Sequence, residues 1–459
     1  MQLAQALAVA ATLFASCVQP AAAVNNYPIV LVHGFSGWGL DELAGVRYWG
    51  GLHGDYQQRL RDEGFDVRTA VVGPFSSNWD RAVELFAYIK GGCVNYGPNH
   101  AKVYGHAATG RCFDGIYPEW GNVINGKVNK IHLVGHSMGG QTIRMLTHLL
   151  ARGSKGAPVE EDPSSHTLFA GGKDWVHSVT TISTPNQGTL LANGASEYGD
   201  LAENAAAAII GMAGVIGEGS TALFDAKLDQ WGIASRQDGE SLTAYVKRIF
   251  SSSVFNDGFY DLCMFSLSTF GAVSDLKWVE TLSNVFYYSF STQDTYRLLN
   301  VELPRPQSMI LPFQPTATFL GSTYALKRGF SSEWQANDGI VNTISMKYDG
   351  KAPVVECGAL SQTGRWHHLA TFTTLDHGAI VGFKPLHDVY DVYSTHAKFL
   401  QDLPAQGSER RLASSDMIVH ETSKDIVESL KALEEQFGAA KCADEEIAAP
   451  SYANTTTAA

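Results

Sequence analysis

A short apolar segment followed by a glycine-rich turn constrains this chain more than any other stretch. Residues 131–136 read Ile-His-Leu-Val-Gly-His, which favours a short buried strand, and residues 141–146 have helical spacing. Between them lies the pattern Gly-x-Ser-x-Gly at 135–139. A serine held in a strained turn between strand and helix needs glycine two positions to either side, because larger side chains would collide there. The pattern therefore predicts Ser137 as a nucleophile.

The rest of the chain alternates predicted strands with predicted helices. A buried strand leads into a glycine-rich loop at 27–39, and further strands are predicted at 67–72, 176–182 and 286–291. Helices are predicted at 55–64, from 78 onward and at 225–242. Because strands that alternate with helices form parallel sheets, we predict an α/β fold with a mostly parallel sheet.

The glycine-rich loop after the first predicted strand is a candidate for the second loop that a hydrolytic site of this kind needs. A hydrolase with a serine in such a turn stabilises the tetrahedral oxyanion through two backbone N–H groups, one after the serine and one from an earlier strand–loop junction. Phe35 and Met138 are the candidate donors. The alternative is that His33-Gly34 belongs to a simple loop.

An acid and a histidine complete the candidate catalytic set. Asp338 lies in the turn Asn-Asp-Gly at 337–339, and His377 follows later, which gives the order Ser, Asp, His. The expectation for the acid is a position just after a strand. His367 and His368 are rivals of His377, but they follow polar residues and we expect them in an exposed loop.

The segment 76–111 carries a candidate metal site. Asp80, His100 and His106 offer the nitrogen and oxygen ligands that zinc prefers. A fourth ligand is not evident from the spacing, and surface histidines in a polar loop are the commoner explanation of such a pattern. Nucleic-acid binding is not expected, because the formal charge is −13 and no run of Lys and Arg is present.

The two ends of the chain differ in composition from its centre. Residues 1–23 contain no charged side chain and end in Ala-Ala-Ala, which predicts a signal peptide and a secreted, extracellular protein. An uncleaved membrane anchor is the alternative, although the apolar run is shorter than the roughly 20 residues that span a bilayer. Residues 24–403 form the predicted main domain. Residues 404–459 are predicted to be a helical extension, with a helix at 423–437, and a disordered tail.

Cysteine pairing and one apolar segment allow more than one interpretation. A disulfide between Cys93 and Cys112 suits a secreted protein, and Cys357 with Cys442 is a second candidate pair. Residues 201–216 are rich in Ala, Ile, Gly, Met and Val. Either a buried core helix or a lid that opens at a lipid surface explains this composition.

Several blocks of sequence occur here in the same order as in a known protein family. They are VHGFSGWG at 32–39, YWGG at 48–51, GPFSSNWDRA at 73–82, the serine turn, LDQWG at 228–232 and NDGIVN at 337–342. From about residue 25 to 385 the chain resembles the large zinc-containing lipases of thermoalkalophilic bacilli and their staphylococcal relatives. The resemblance implies an α/β-hydrolase fold with a zinc-bearing insertion at about 76–111 and a helical lid at about 191–218.

The resemblance also implies a role for individual residues. The resemblance assigns the catalytic triad to Ser137, Asp338 and His377, and the oxyanion donors to Phe35 and Met138. It assigns the zinc ligands to Asp80, His100, His106 and Asp261. Met138 stands where these lipases usually have glutamine, which a backbone role tolerates. With four protein ligands the zinc is expected to be structural.

A calcium site of the related lipases is expected to be absent here. The matching positions are Ala379, Lys384 and Pro385. Calcium needs hard oxygen ligands, usually with carboxylates. Alanine supplies no side-chain oxygen, and the Lys384 ammonium is expected to replace the ion by pairing with a nearby acid. A calcium site built from other residues is the alternative.

The resemblance implies a secreted triacylglycerol lipase that acts at a lipid–water interface on ester substrates. A soluble short-chain carboxylesterase or an acyltransferase is the first alternative, and a catalytically inactive lipid-binding protein is the second. The sequence identifies no transmembrane segment after residue 23, and it leaves the oligomeric state open.

Overall fold

The computed structural model describes residues 25–40, 42–43, 45–198, 209, 224–257, 259–356, 360–408, 410–411, 417–438 and 446–447. The predicted signal peptide lies outside these residues, as do Cys357, Cys442 and the tail beyond 447. Of the predicted lid, residues 199–218 also lie outside them, except the buried Ile209.

Eight strands form one central sheet. In chain order they are β1 Ile29–Val32, β2 Val67–Ala70, β3 Ile131–His136, β4 Val176–Ile182, β5 Phe286–Thr292, β6 Val354–Glu356, β7 Trp366–Phe372 and β8 Glu446–Ile447. Their spatial order is β8-β6-β7-β5-β4-β3-β1-β2. Every neighbouring pair is parallel except β6 with β8. The predicted mostly parallel α/β-hydrolase sheet is confirmed.

The sheet separates two apolar clusters, one on each face. In β1, Ile29 and Leu31 join one cluster, whereas Val30 and Val32 join the other. Alternate residues of a strand point to opposite faces, so a strand covered on both sides is apolar throughout. This explains why its short apolar run predicted a buried strand.

Helices cover both faces of the sheet and connect its strands. They are Tyr56–Asp62, Asn78–Lys90, Pro98–Tyr104, Met138–Arg152, Leu190–Tyr198, Leu242–Phe250, Ser253–Asp257, Cys263–Leu267, Thr269–Leu276, Gln314–Gly321, Tyr324–Lys327, Thr343–Met346, Tyr390–Asp402 and Lys424–Gln436. Short 3-10 turns lie at Asp229–Trp231, Phe259–Asp261, Leu311–Phe313, Ser332–Gln335 and Ala379–Val381. Among the described helices, none has the length and apolar character needed to cross a membrane.

Smaller sheets lie outside the central one. They pair Gly92–Asn95 with Thr109–Phe113, Val123–Ile124 with Lys127–Val128, Thr295–Leu298 with Val301–Pro304, and Ile418–Glu421 with both Leu360–Gln362 and Arg410–Arg411. The first of these carries the predicted disulfide between Cys93 and Cys112, which is confirmed.

Two predictions of local structure are wrong. Residues 225–242 were expected to be helical, but only a 3-10 turn forms there and a helix begins at Leu242. Arg111 pairs with Asp225 and Asp229, which holds this polar segment against the neighbouring hairpin. His367 and His368 were expected in an exposed loop, but both lie buried in β7. The polar residues before them form the turn that precedes this strand.

The predicted C-terminal helix is confirmed at Lys424–Gln436, and the chain around it contacts the sheet. Phe437 is buried with its ring 5.7 Å from that of Phe372 in β7. Thr373 N–H donates a 2.7 Å hydrogen bond to the carbonyl of Gly438. The division of the chain at residue 404 stays a prediction.

Buried histidines make the interior sensitive to acid. Burial lowers the pKa of His132, His368 and His396 to about 3. It lowers the pKa of His148 and His367 to about 4. In the unfolded chain, a histidine side chain has a pKa of about 6.5. Because each folded pKa lies below the unfolded one, the stability contributed is complete above about pH 6.5 and is lost as the pH falls toward the folded pKa.

We predict that the melting temperature falls when the pH is lowered from 7 to 5. Buried carboxyls oppose this trend, since burial raises the pKa of Glu84 and Asp294 to about 7 and that of Asp275 to about 6. The histidines outnumber them, and burial also holds the pKa of His33 and His177 well below 6.5. Scanning calorimetry at several pH values tests the prediction. A melting temperature that stays constant or rises toward pH 5 contradicts it.

Candidate active site and metal cluster

Ser137 lies in a tight turn between β3 and the helix Met138–Arg152. Its backbone has φ 55° and ψ −132°, a conformation that costs a non-glycine residue free energy. A Cβ atom at Gly135 would lie 2.4 Å from the carbonyl carbon of Gly139, and one at Gly139 would lie 2.2 Å from the Val32 oxygen. The two glycines of the motif are therefore required by close packing.

Hydrogen bonds join the three candidate triad residues in one row. His377 Nε2 lies 2.9 Å from Ser137 Oγ, and His377 Nδ1 lies 2.7 Å from Asp338 Oδ2. All three side chains are buried. The structure thus brings together residues that are 240 and 39 positions apart in the chain. This geometry suits proton transfer from the serine to the histidine.

Asp338 does not follow a strand of the central sheet, contrary to expectation. It lies in a turn closed by a bridge between Asn337 and Asn342. Its Oδ1 accepts the N–H groups of residues 340 and 341, at 3.0 and 2.8 Å. Its Oδ2 accepts a 2.7 Å bond from Thr292 Oγ1 at the end of β5. Thr292 could not be predicted as a partner of Asp338, because a threonine at a strand end is ordinary.

The two candidate oxyanion donors lie on either side of the turn. Phe35 follows β1, and Met138 is the first residue of the helix after Ser137. A Cβ atom added to Gly34 would lie 2.5 Å from Ser137 Cβ, so the loop directly contacts the serine. Within the described part of the chain, neither Phe35 N–H nor Met138 N–H donates a hydrogen bond. Both amides are free to bind a ligand oxygen.

An apolar cavity adjoins Ser137. Its lining includes Phe35, Thr189, Leu191, Ala192, Ala195, Met264, Leu267, Ile340 and Val341. Three of these belong to the helix Leu190–Tyr198, which begins the predicted lid region. A cavity of this kind suits a hydrocarbon chain better than a charged group.

The four predicted zinc ligands come together in a second place. One ligand atom from each of Asp80, His100, His106 and Asp261 lies within 4.8 Å of the others. His100 Nε2 is 3.4 Å from Asp80 Oδ1 and 3.0 Å from Asp261 Oδ1. His106 Nε2 is 3.0 Å from Asp261 Oδ2. The imidazoles are buried side chains rather than surface groups.

The donor atoms of this cluster fit a divalent metal ion. Asp80 Oδ1, His100 Nε2, His106 Nε2 and Asp261 Oδ2 are buried without a well-directed hydrogen bond. His106 Nδ1 lies 2.9 Å from the carbonyl of Ala107, so a proton there leaves a lone pair on Nε2. Burial raises the pKa of the Asp80 carboxyl, and the Asp261 carboxylate raises it further. A cation among these groups would offset the repulsion.

The position expected to lack calcium contains a buried lysine. Lys384 Nζ donates a 2.8 Å hydrogen bond to the carbonyl of Thr374, and its charge acts on the carboxyls of Asp294 and Asp376. Asp376 in turn accepts the N–H groups of Gly378 and Ala379, next to His377. A lysine therefore supplies positive charge to the loop that carries the histidine.

Comparisons with known proteins identify a family for this chain. A family model described as the lipase-like C-terminal domain matches residues 25–406. The chain is 36% identical over 374 residues to a lipase of Staphylococcus epidermidis, covering 78% of this chain and 50% of the relative. It is 36% identical to lipase 1 of Staphylococcus aureus over 371 residues, covering 78% and 51%. The chain thus spans about half the length of the curated relatives it matches.

Solved structures match along most of the chain. Lipase 1 from Pelosinus fermentans has 43% identity and a TM-score of 0.72, covering 83% of this chain and 99% of that one. EstA from Clostridium botulinum has 39% identity and a TM-score of 0.74, covering 84% and 90%. Staphylococcus hyicus lipase has 30% identity and a TM-score of 0.65, covering 84% and 98%. By both sequence and fold, the chain belongs to the lipase-like family.

Proposed function

We propose that the protein is a secreted triacylglycerol lipase, which hydrolyses carboxylic esters of water-insoluble lipids through an acyl-enzyme on Ser137. The observation that carries the proposal is the continuous hydrogen-bonded row from Ser137 through His377 to Asp338, next to an apolar cavity. The lipases among its relatives support the same chemistry.

In the proposed mechanism, Ser137 Oγ attacks the ester carbonyl carbon while His377 Nε2 takes the hydroxyl proton. Asp338 orients His377 through Nδ1 and stabilises the imidazolium. The N–H groups of Phe35 and Met138 donate to the carbonyl oxygen as it becomes negatively charged. His377 then gives the proton to the departing alcohol. A water molecule, deprotonated by the same histidine, releases the fatty acid and restores the serine.

The cavity lining supports an acyl group as the part of the substrate that enters the protein. Leu191, Leu267 and Val341 offer hydrocarbon surface beside Ser137. Removing an acyl chain from water is favourable by about 0.8 kcal/mol for each CH₂ group buried. Binding would therefore favour esters with a hydrocarbon chain over acetate. The 191–218 region is proposed as the lid that covers this cavity.

The Asp80 cluster is proposed to hold a structural zinc ion. Four protein ligands fill a tetrahedral site, so the ion would stabilise the fold and would not contact the ester. Asp80 and the two histidines come from residues 80–106, whereas Asp261 is 155 positions beyond His106. The ion would link these segments in the folded state.

A series of esters from soluble acetate to emulsified long-chain triglyceride tests the proposed activity. We predict that the rate rises when the substrate forms an interface, because the proposed lid would open at a lipid surface and expose the apolar cavity. Ser137→Ala should abolish hydrolysis of every ester. Ser178→Ala is a matched control, since Ser178 Oγ is also buried and lies 2.7 Å from a histidine nitrogen, but in the interior of β4.

Three outcomes discriminate between the functions. Hydrolysis of soluble esters without a rise at the interface identifies a short-chain carboxylesterase. Transfer of the acyl group to an added alcohol in preference to water identifies an acyltransferase. Lipid binding without turnover, equal in wild type and Ser137→Ala, contradicts the enzymatic proposal altogether.

Removal of the metal should destabilise the protein. We predict one zinc per chain in wild-type protein purified without chelator, and less in Asp261→Asn, which weakens one ligand. Because the ion binds the folded state only, free zinc at 100-fold above its Kd should raise the unfolding free energy by about 3 kcal/mol. Removing the zinc should lower the unfolding free energy by the same amount. Elemental analysis and calorimetry measure both quantities. Wild-type protein without zinc contradicts the assignment.

Calcium serves as the control metal in this experiment. Added to zinc-saturated protein, it should leave the melting temperature unchanged, because Lys384 already supplies positive charge near Asp294 and Asp376. A rise in melting temperature with calcium would show that another set of oxygen ligands binds it.

A further inference from the structure

The peptide that joins His33 to Gly34 is held at both of its polar ends. Arg81 Nη2 donates a 2.5 Å hydrogen bond to the His33 carbonyl. On the opposite side, Gly34 N–H donates a 3.1 Å bond to the hydroxyl of Tyr48. The C=O and N–H of a trans peptide point in opposite directions in one plane. Binding both of them therefore fixes the orientation of that plane.

The next peptide, between Gly34 and Phe35, is fixed through its carbonyl. The Gly34 oxygen accepts a 3.1 Å bond from Gly37 N–H and lies 2.9 Å from His33 Nδ1. Ser36 N–H is also bound, to the carbonyl of Pro74 at 3.0 Å. In this part of the loop, Phe35 N–H is thus the amide left to bind a ligand oxygen.

Tyr48 and Arg81 are both buried, and each also contacts the segment that carries Ser137. The Tyr48 hydroxyl lies 2.6 Å from Nδ1 of His136, the residue before the serine. The hydroxyl can accept from Gly34 N–H and still form a hydrogen bond with His136, in the direction that the His136 tautomer sets. Arg81 Nε donates to Thr142 Oγ1 at 2.8 Å, and Thr142 donates to the carbonyl of Met138 at 3.0 Å. The two side chains thus connect the loop to the turn from two directions.

We propose that Tyr48 is a positioning residue, which with Arg81 orients the His33–Gly34 peptide so that Phe35 N–H meets the developing oxyanion. This inference rests on the proposed ester hydrolysis. Neither side chain lines the apolar cavity beside Ser137, so we expect both to act through the backbone. A donor aimed correctly before the reaction lowers the barrier to the tetrahedral state and not the energy of the bound ester. Loss of Tyr48's hydroxyl should accordingly reduce kcat and leave KM nearly unchanged.

The direct test is Tyr48→Phe, which removes one oxygen atom and keeps the ring. Loss of a whole oxyanion donor costs about 10²- to 10³-fold in turnover, so a misaligned donor should cost about 10- to 100-fold. Pre-steady-state release of p-nitrophenol from a soluble p-nitrophenyl ester measures the acylation rate constant, and the steady-state rates give kcat and KM. The affinity for an alkyl boronic acid, which forms a tetrahedral adduct on serine, should fall by the same factor as kcat.

Tyr287→Phe is the matched control. The Tyr287 hydroxyl is buried and accepts a 3.0 Å bond from a backbone amide, that of Leu282, in the other apolar cluster. The Tyr287→Phe substitution should lower the melting temperature about as much as Tyr48→Phe does, and it should leave kcat within about twofold of the wild-type value. If Tyr48→Phe matches Tyr287→Phe in kcat and boronate affinity, the inference is wrong.

Arg81→Lys provides a second test should Tyr48→Phe fail to fold. It keeps the positive charge but lacks the guanidinium geometry that reaches three acceptors at once. We expect the same fall in kcat with KM and zinc content retained, and an unchanged kcat overturns the inference.

Ser137→Ala separates this outcome from failure of the proposed function: if that variant still hydrolyses esters, the catalytic assignment itself is wrong.

Discussion

The close packing of the turn at Ser137 against β1 is the constraint on which the candidate site depends. The serine adopts a φ of 55°, and Gly139 approaches the carbonyl of Val32 so closely that no side chain fits. This conformation is unfavourable for an isolated residue. It is stabilised here by a buried strand before it and a helix after it. The glycine-rich loop beyond β1 is consequently held next to the serine, where its amides can face a substrate.

One helix connects this packing to the metal cluster. Asp80 and Arg81 are neighbours on the helix Asn78–Lys90, and the first belongs to the cluster while the second binds the carbonyl of His33. A buried guanidinium is costly unless its donors are used, and here three of them reach acceptors. An ion that fixes Asp80 would therefore also restrict the position of Arg81. A metal ion bound at this cluster would therefore be able to influence the candidate active site without touching the ester.

The sequence predicted the features that depend on neighbouring residues. The strand, glycine turn and helix around Ser137 are formed by adjacent residues, so the sequence pattern was sufficient to predict them. The fourth candidate metal ligand, Asp261, required the family resemblance, because spacing alone cannot show which distant acid folds back to the histidines. The turn that presents Asp338 and the contacts of Tyr48 and Arg81 arise only from tertiary packing, and ordinary residue types gave no signal for them.

Covalent labelling with a p-nitrophenyl alkylphosphonate would identify the nucleophile of the proposed reaction. We predict that one equivalent of p-nitrophenol is released per chain and that peptide mapping locates the phosphonyl group on Ser137, whose Oγ lies 2.9 Å from His377 Nε2. Labelling should vanish in Ser137→Ala. A stable adduct on another residue, or ester hydrolysis that continues after Ser137 is fully labelled, would show that Ser137 is not the nucleophile.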